Sequence, residues 1–118
     1  MMCLMLMFLV QDITIVTISP EEFAQHIGED VVIIDVRTPG EYQSGHIEHA
    51  QMIDFRDDQF KQKVEALDRD KTYLIYCASG GRSGRSLDVF KELGFKHVLD
   101  LAGGIKAWKA SGRPVTQP

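Results

Sequence analysis

Val31-Val32-Ile33-Ile34 places four apolar residues in a row, and this run restricts the fold more than any other stretch. A strand with one face in water alternates apolar and polar residues. An unbroken apolar run implies cover on both faces, as in the parallel sheets of α/β proteins. Thr72-Tyr73-Leu74-Ile75-Tyr76, β-branched and aromatic, reads as a second buried strand. Ile13 to Ile18 reads as the first strand, Met52-Ile53 as a short extended segment, and His97-Val98-Leu99 as a last short strand.

Helical signals fill the gaps. Ser19-Pro20-Glu21-Glu22 has an N-cap serine, a proline at the first helical position and a glutamate placed to close a capping box. Phe23 and Ile27 share a face of that helix, and Gly28 ends it. Gly40 to Ser44 is a short helical piece. Asp57 or Asp58 is expected to cap a helix carrying Phe60, Val64 and Leu67 at helical spacing. Ser83 to Leu93 repeats that spacing with Leu87, Phe90 and Leu93, and a terminal helix carries Trp108. Strands alternating with helices predict parallel strands, right-handed crossovers and helices on both faces.

The 118 residues suit a single domain. A net charge of −4 with scattered basic residues argues against nucleic acid or an anionic membrane as partner. Cys3 and Cys77 are too far apart in the chain to suggest a disulfide scaffold, and a free thiol suits a reducing compartment. Met1 to Val10 is wholly apolar but too short to cross a bilayer as a helix. It lacks the basic start and small-residue cleavage site of an export signal. The chain is thus divided into an apolar N-terminal extension, 1–12, and one domain, 13–118, with no membrane span. The preferred location is cytoplasmic, or exported to a periplasm if Met1 to Val10 belongs to a longer signal.

Chemistry points to Cys77-Ala78-Ser79-Gly80-Gly81-Arg82-Ser83, at the carboxyl end of a strand and leading into a helix N-terminus. That edge of a parallel sheet is where ligands bind. A free thiol ionises near pH 8.5, so a reactive cysteine needs help. Gly80 and Gly81 permit positive φ and an inward-facing nest of N–H groups; the following helix adds partial positive charge, and Arg82 a full one. The competing reading is a buried cysteine packed as a small hydrophobe.

Four blocks, in order, resemble the single-domain rhodanese (thiosulfate-type sulfurtransferase) family. They are Ile34-Asp35-Val36-Arg37 with Glu41-Tyr42; Gly45-His46-Ile47 with Ala50; the loop as Cys-x-x-Gly-x-Arg-Ser; and Gly94-Phe95 followed by Leu101-x-Gly103-Gly104 and Trp108. His49 departs from the glycine usual in the family. The resemblance implies an α/β, rhodanese-like fold: a five-stranded parallel sheet with helices on both faces. It also implies that Cys77 takes sulfur from a donor such as thiosulfate, as a persulfide, and passes it to cyanide or a thiol, with no cofactor or metal. The donor would be a small sulfur-containing anion or persulfide, and the acceptor a thiol or a protein. Ala78, Ser79, Gly80, Gly81, Arg82 and Ser83 would bind the substrate. Related cell-cycle phosphatases have one more residue between cysteine and arginine; the four here, Ala78 to Gly81, suit a single sulfur better than a tetrahedral oxyanion. A binding or scaffold module, and a phosphatase or arsenate reductase using the same loop, are the alternatives.

Other residues have structural readings. Asp35 and Arg37 either belong to the site or, as we prefer, fix its neighbour, with Arg37 on Glu41 and Asp35 capping backbone N–H groups. Arg85, in the first turn after the loop, is either solvated or touches substrate. His46 and His49 lack the third ligand that a metal site needs. Gly103 and Gly104 read as a tight turn, and Trp108 as core.

Overall fold

The computed structural model describes residues 12–28 and 30–118; the apolar start and Cys3 lie outside them. The elements are β1 (Thr14–Ile18), α1 (Pro20–His26), β2 (Val31–Asp35), α2 (Pro39–Ser44), β3 (Gln51–Met52), α3 (Phe60–Glu65), β4 (Thr72–Tyr76), α4 (Gly81–Glu92), β5 (His97–Leu101) and α5 (Gly104–Ala110). The strands form one parallel sheet in the order β1-β5-β4-β2-β3. The expected α/β architecture is therefore present, with β4 at the centre.

Because side chains alternate along a strand, the two halves of β4 enter two cores. Tyr73, Ile75 and Cys77 join Ile34, Val98, Val64 of α3 and Phe90 of α4 on one face. Leu74 and Tyr76 join Ile33, Leu101, Phe23 of α1, and Ile105 and Trp108 of α5 on the other. Helices thus cover both faces, and this is why the β2 and β4 runs carry so few polar residues. Trp108 is core, as expected, its ring edge-on to Phe23 and its Nε1–H donating to the Pro114 carbonyl at 2.8 Å.

Several boundaries differ from the expectation for local reasons. In α1 the Ser19 hydroxyl accepts from the Glu22 N–H at 3.2 Å, but the helix closes on Ile27, before Gly28. Phe23 is buried while Ile27 is exposed. Neither Asp57 nor Asp58 is the N-cap of α3: that position is Gln59, and Asp57 accepts the Gln59 N–H at 2.8 Å in the turn before it. The full capping box belongs to α2. There the Thr38 N–H donates to Glu41 Oε1 at 3.1 Å while the Glu41 N–H reaches Thr38 Oγ1. β5 runs on through Asp100 and Leu101, and α4 begins at Gly81 rather than Ser83. Arg85 therefore sits in the second turn of its helix.

Candidate active site

Cys77 follows the last residue of β4 and is 1% exposed, so its sulfur lies at the foot of the loop. Gly80 turns the chain with φ +107°, aiming its N–H at Cys77 Sγ from 3.1 Å. Only Gly80 takes the positive φ expected of both glycines; Gly81 is already helical, as the first residue of α4. In the first turn of the helix, the buried Ser83 hydroxyl donates to the same sulfur at 3.4 Å. Burial pushes the Cys77 thiol up. The Ser83 hydroxyl and the N–H groups of Ser83, Gly80 and Ser79 outweigh that burial and leave it below its ordinary value. A thiolate is thus favoured by oriented donors.

The loop's carbonyls are held from behind. The Ile105 N–H donates to the Cys77 carbonyl at 2.9 Å and the Lys106 N–H to the Ala78 carbonyl at 3.1 Å. The start of α5 therefore binds the loop, and Gly104 makes this approach possible. A Cβ built there would lie 2.5 Å from the Ala78 carbonyl carbon, and φ at Gly104 is +62°. Gly103-Gly104 is more than a turn: it is the seat of the Cys77 loop. That role has no sequence signal beyond the paired glycines.

The arginines are distributed differently from the expectation. Glu41 does not pair with Arg37. Its two oxygens take Arg82 Nη1 and Nη2 at 2.7 and 2.8 Å, a bidentate clasp from α2 to the loop. Arg82 and the Thr38 cap hold the Glu41 carboxyl down to about 2. Arg37 forks instead onto Asp35, with Nε–Oδ1 at 3.0 Å and Nη2–Oδ2 at 2.7 Å, and also donates to the Gly45 carbonyl. Asp35 does cap a backbone N–H, that of Arg37 itself. Both residues are buried, and together they fix the segment that carries α2.

Of the six loop residues predicted to bind substrate, Ser79, Gly80 and Ser83 turn a donor toward the sulfur, and Arg82 anchors the loop through Glu41. Ala78 and Gly81 supply backbone, to α5 and to the helix start respectively. Arg85 is exposed, its guanidinium carbon 5.8 Å from the centre of the Phe55 ring. His46 is buried against Tyr42, rings 3.7 Å apart, with Nδ1 on the Tyr42 carbonyl at 2.9 Å; His49 is exposed. Among the described residues no cluster of three or more His, Cys, Asp or Glu side chains is placed to hold a metal. Nor does any described helix have the length and apolarity to cross a membrane.

Fold and loop together define a class: a small α/β domain with a cysteine cradled between the central strand and a helix N-terminus. Residues 19–111 match the rhodanese-like domain, and the chain belongs to that family. It is 33% identical to a sulfurtransferase of Allochromatium vinosum over 86% of this chain and 94% of that protein. It is 34% identical to the thiosulfate sulfurtransferase PspE of Escherichia coli, over 62% of this chain and 69% of that one. A rhodanese-related protein from Thermoplasma volcanium superposes with a TM-score of 0.78 at 30% identity, covering 86% of this chain and 98% of the other. These likenesses support sulfur transfer as the general chemistry of the domain.

Proposed function

We propose that Cys77 carries sulfane sulfur as a persulfide, taking it from a small anionic donor such as thiosulfate and giving it to a thiophilic acceptor. The supporting observation is the convergence of the Gly80 N–H and the Ser83 hydroxyl on one sulfur, at 3.1 and 3.4 Å. In the first half-reaction the Cys77 thiolate attacks the outer sulfur of thiosulfate. A Cys–S bond forms, the S–S bond of the donor breaks, and sulfite leaves with the electron pair. In the second, cyanide or a thiolate attacks the outer sulfur of the persulfide and restores the thiolate. Charge balances in both halves without a general base, since no proton is transferred. This is covalent nucleophilic catalysis with a substituted-enzyme intermediate.

The loop donors serve the sulfur anion as an oxyanion hole serves oxygen. Burial of Cys77 gives the persulfide a further use: its outer sulfur stands about 2 Å farther along the loop axis, nearer an acceptor at the mouth. In this reading the loop backbone of Ala78, Ser79, Gly80, Gly81 and Ser83 would line the space for that outer sulfur, and the guanidinium N–H groups of Arg82 left over from Glu41 would draw the anionic donor. A small thiol or a protein thiol is the cellular acceptor.

The test is direct. Incubation with thiosulfate should add one sulfur to the Cys77 peptide, read by mass spectrometry under non-reducing conditions. Steady-state rates should give parallel double-reciprocal lines, and Cys77→Ser should abolish both signals. A Cys77 peptide that gains no sulfur from a fully reduced start would refute the proposal.

A further inference from the structure

Asp100 is a buried carboxyl that the proposed sulfur chemistry does not use. It faces Thr17 across β1 and Ile75 across β4 in the parallel register. Alternation along β4 then puts Cys77 on the same side of the sheet, the side covered by α4. Asp100 is 2% exposed. Its Oδ2 accepts from Thr17 Oγ1 at 2.9 Å, while Oδ1 has no hydrogen-bond partner. Above it lies the first turn of α4, where a Cβ on Gly84 would stand 3.9 Å from Oδ2; the Ser83 hydroxyl is beside the carboxyl. No lysine, arginine or histidine among the described residues pairs with it.

A buried carboxylate with no cation and only Thr17 at hydrogen-bond distance is poorly solvated, and burial shifts its balance toward the acid form. The chemistry of Ser83 leads to the same state. A serine hydroxyl has one hydrogen, and here it is directed at Cys77 Sγ, 3.4 Å away, while the Asp100 carboxyl is the other acceptor within its influence. If Asp100 is ionised, two anions compete for that hydrogen. If it is protonated, its own O–H turns toward Ser83 Oγ, and the serine hydrogen is left to the sulfur.

We propose that Asp100 is a positioning residue, held as a neutral carboxylic acid, that directs the Ser83 hydroxyl onto the Cys77 sulfur. The groups facing it are Thr17 from β1, Ile75 and beyond it Cys77 from β4, Ser83 and Gly84 from α4, and the Leu101 amide of its own strand. Cys77 is the one other titratable group in that set, on the same side of the sheet. In agreement, burial pushes the Asp100 carboxyl above its ordinary range, against weaker pulls from Ser83, Thr17 and the Leu101 amide.

The inference rests on the reading of Cys77 as the reactive thiol, but its readout is thiol ionisation, so failure of sulfur transfer would not be mistaken for its failure. The full chain is titrated by ultraviolet thiolate absorbance as wild type, Asp100→Asn, Asp100→Leu, Ser83→Ala and Asp100→Leu with Ser83→Ala. Asparagine keeps a neutral donor, so the thiolate fraction at pH 7 should stay within about twofold of wild type. Leucine removes the donor and should lower that fraction about threefold or more, with no further loss in the Ser83→Ala background. A tenfold gain of thiolate in Asp100→Asn would mean that a charge had been removed, and would overturn the proposal. So would a leucine effect that is absent, or that persists without Ser83. Should a variant not fold, the carbon-13 shift of the Asp100 carboxyl in the wild-type chain decides: a carboxylate at pH 7 refutes the proposal.

Discussion

Glu41→Gln tests whether the clasp between α2 and the Cys77 loop matters. The substitution keeps an oxygen for the Thr38 cap but removes the charge and one arm of the fork onto Arg82. The carboxyl titrates at about 2 when folded, against an ordinary 4.5. At about 1.4 kcal/mol per pH unit, that difference sets an upper limit of about 3.4 kcal/mol. The Glu41 side chain is 33% exposed, so solvent screening brings the expectation down to about 1–2 kcal/mol. For a domain of this size the loss is a fall of about 4–8 °C in Tm. The sign follows from the depressed folded value. The stabilisation is complete above the unfolded value of 4.5 and is lost as pH falls toward about 2. Urea unfolding of wild type and variant, followed by circular dichroism between pH 7 and pH 3, should show a gap that is constant down to about pH 5 and narrows below it. A gap that does not change with pH would show that Glu41 acts through shape alone. No gap at neutral pH would show that the clasp adds nothing to the fold.

Three further outcomes are expected. Ser83→Ala removes a donor to the sulfur and should lower the thiolate share at neutral pH severalfold, so that single-turnover sulfur transfer rises at higher pH than in wild type; an unshifted pH profile would contradict it. Gly104→Ala drives a methyl group into the Ala78 carbonyl at a positive φ and should cost at least about 3 kcal/mol in urea unfolding, with loss of the lowered thiol midpoint. His49 is the non-glycine residue with positive φ among those described, at +70°, so His49→Gly should stabilise by about 0.5–1 kcal/mol in the same assay, after glycine's own entropy cost.

The sheet was legible because Val31–Ile34 and Thr72–Tyr76 leave no polar face, and the cysteine loop because its residues and spacing are local. What escaped the sequence was separation. Glu41 was assigned to Arg37, four residues away, because short-range pairs are all that spacing reveals; its partner is 41 positions on. Asp100 carries no sequence signal because the short run His97-Val98-Leu99 stops before it, while the strand itself continues to Leu101. The glycine pair at 103 and 104 was read for its backbone freedom. Its contact with Ala78 depends on the crossover between β4 and β5, which no local pattern shows.

The two amide donors at the start of α5 also set an order of events. The carbonyls of Cys77 and Ala78 find their partners only when Ile105 and Lys106 have been made and β5 has been inserted beside β4. A chain still emerging from the ribosome therefore lacks, for almost thirty residues of synthesis after Cys77, the two amides that seat its loop. The loop behind the sulfur is thus pinned last, by the closing helix, and the cradle owes its final rigidity to the part of the chain made latest.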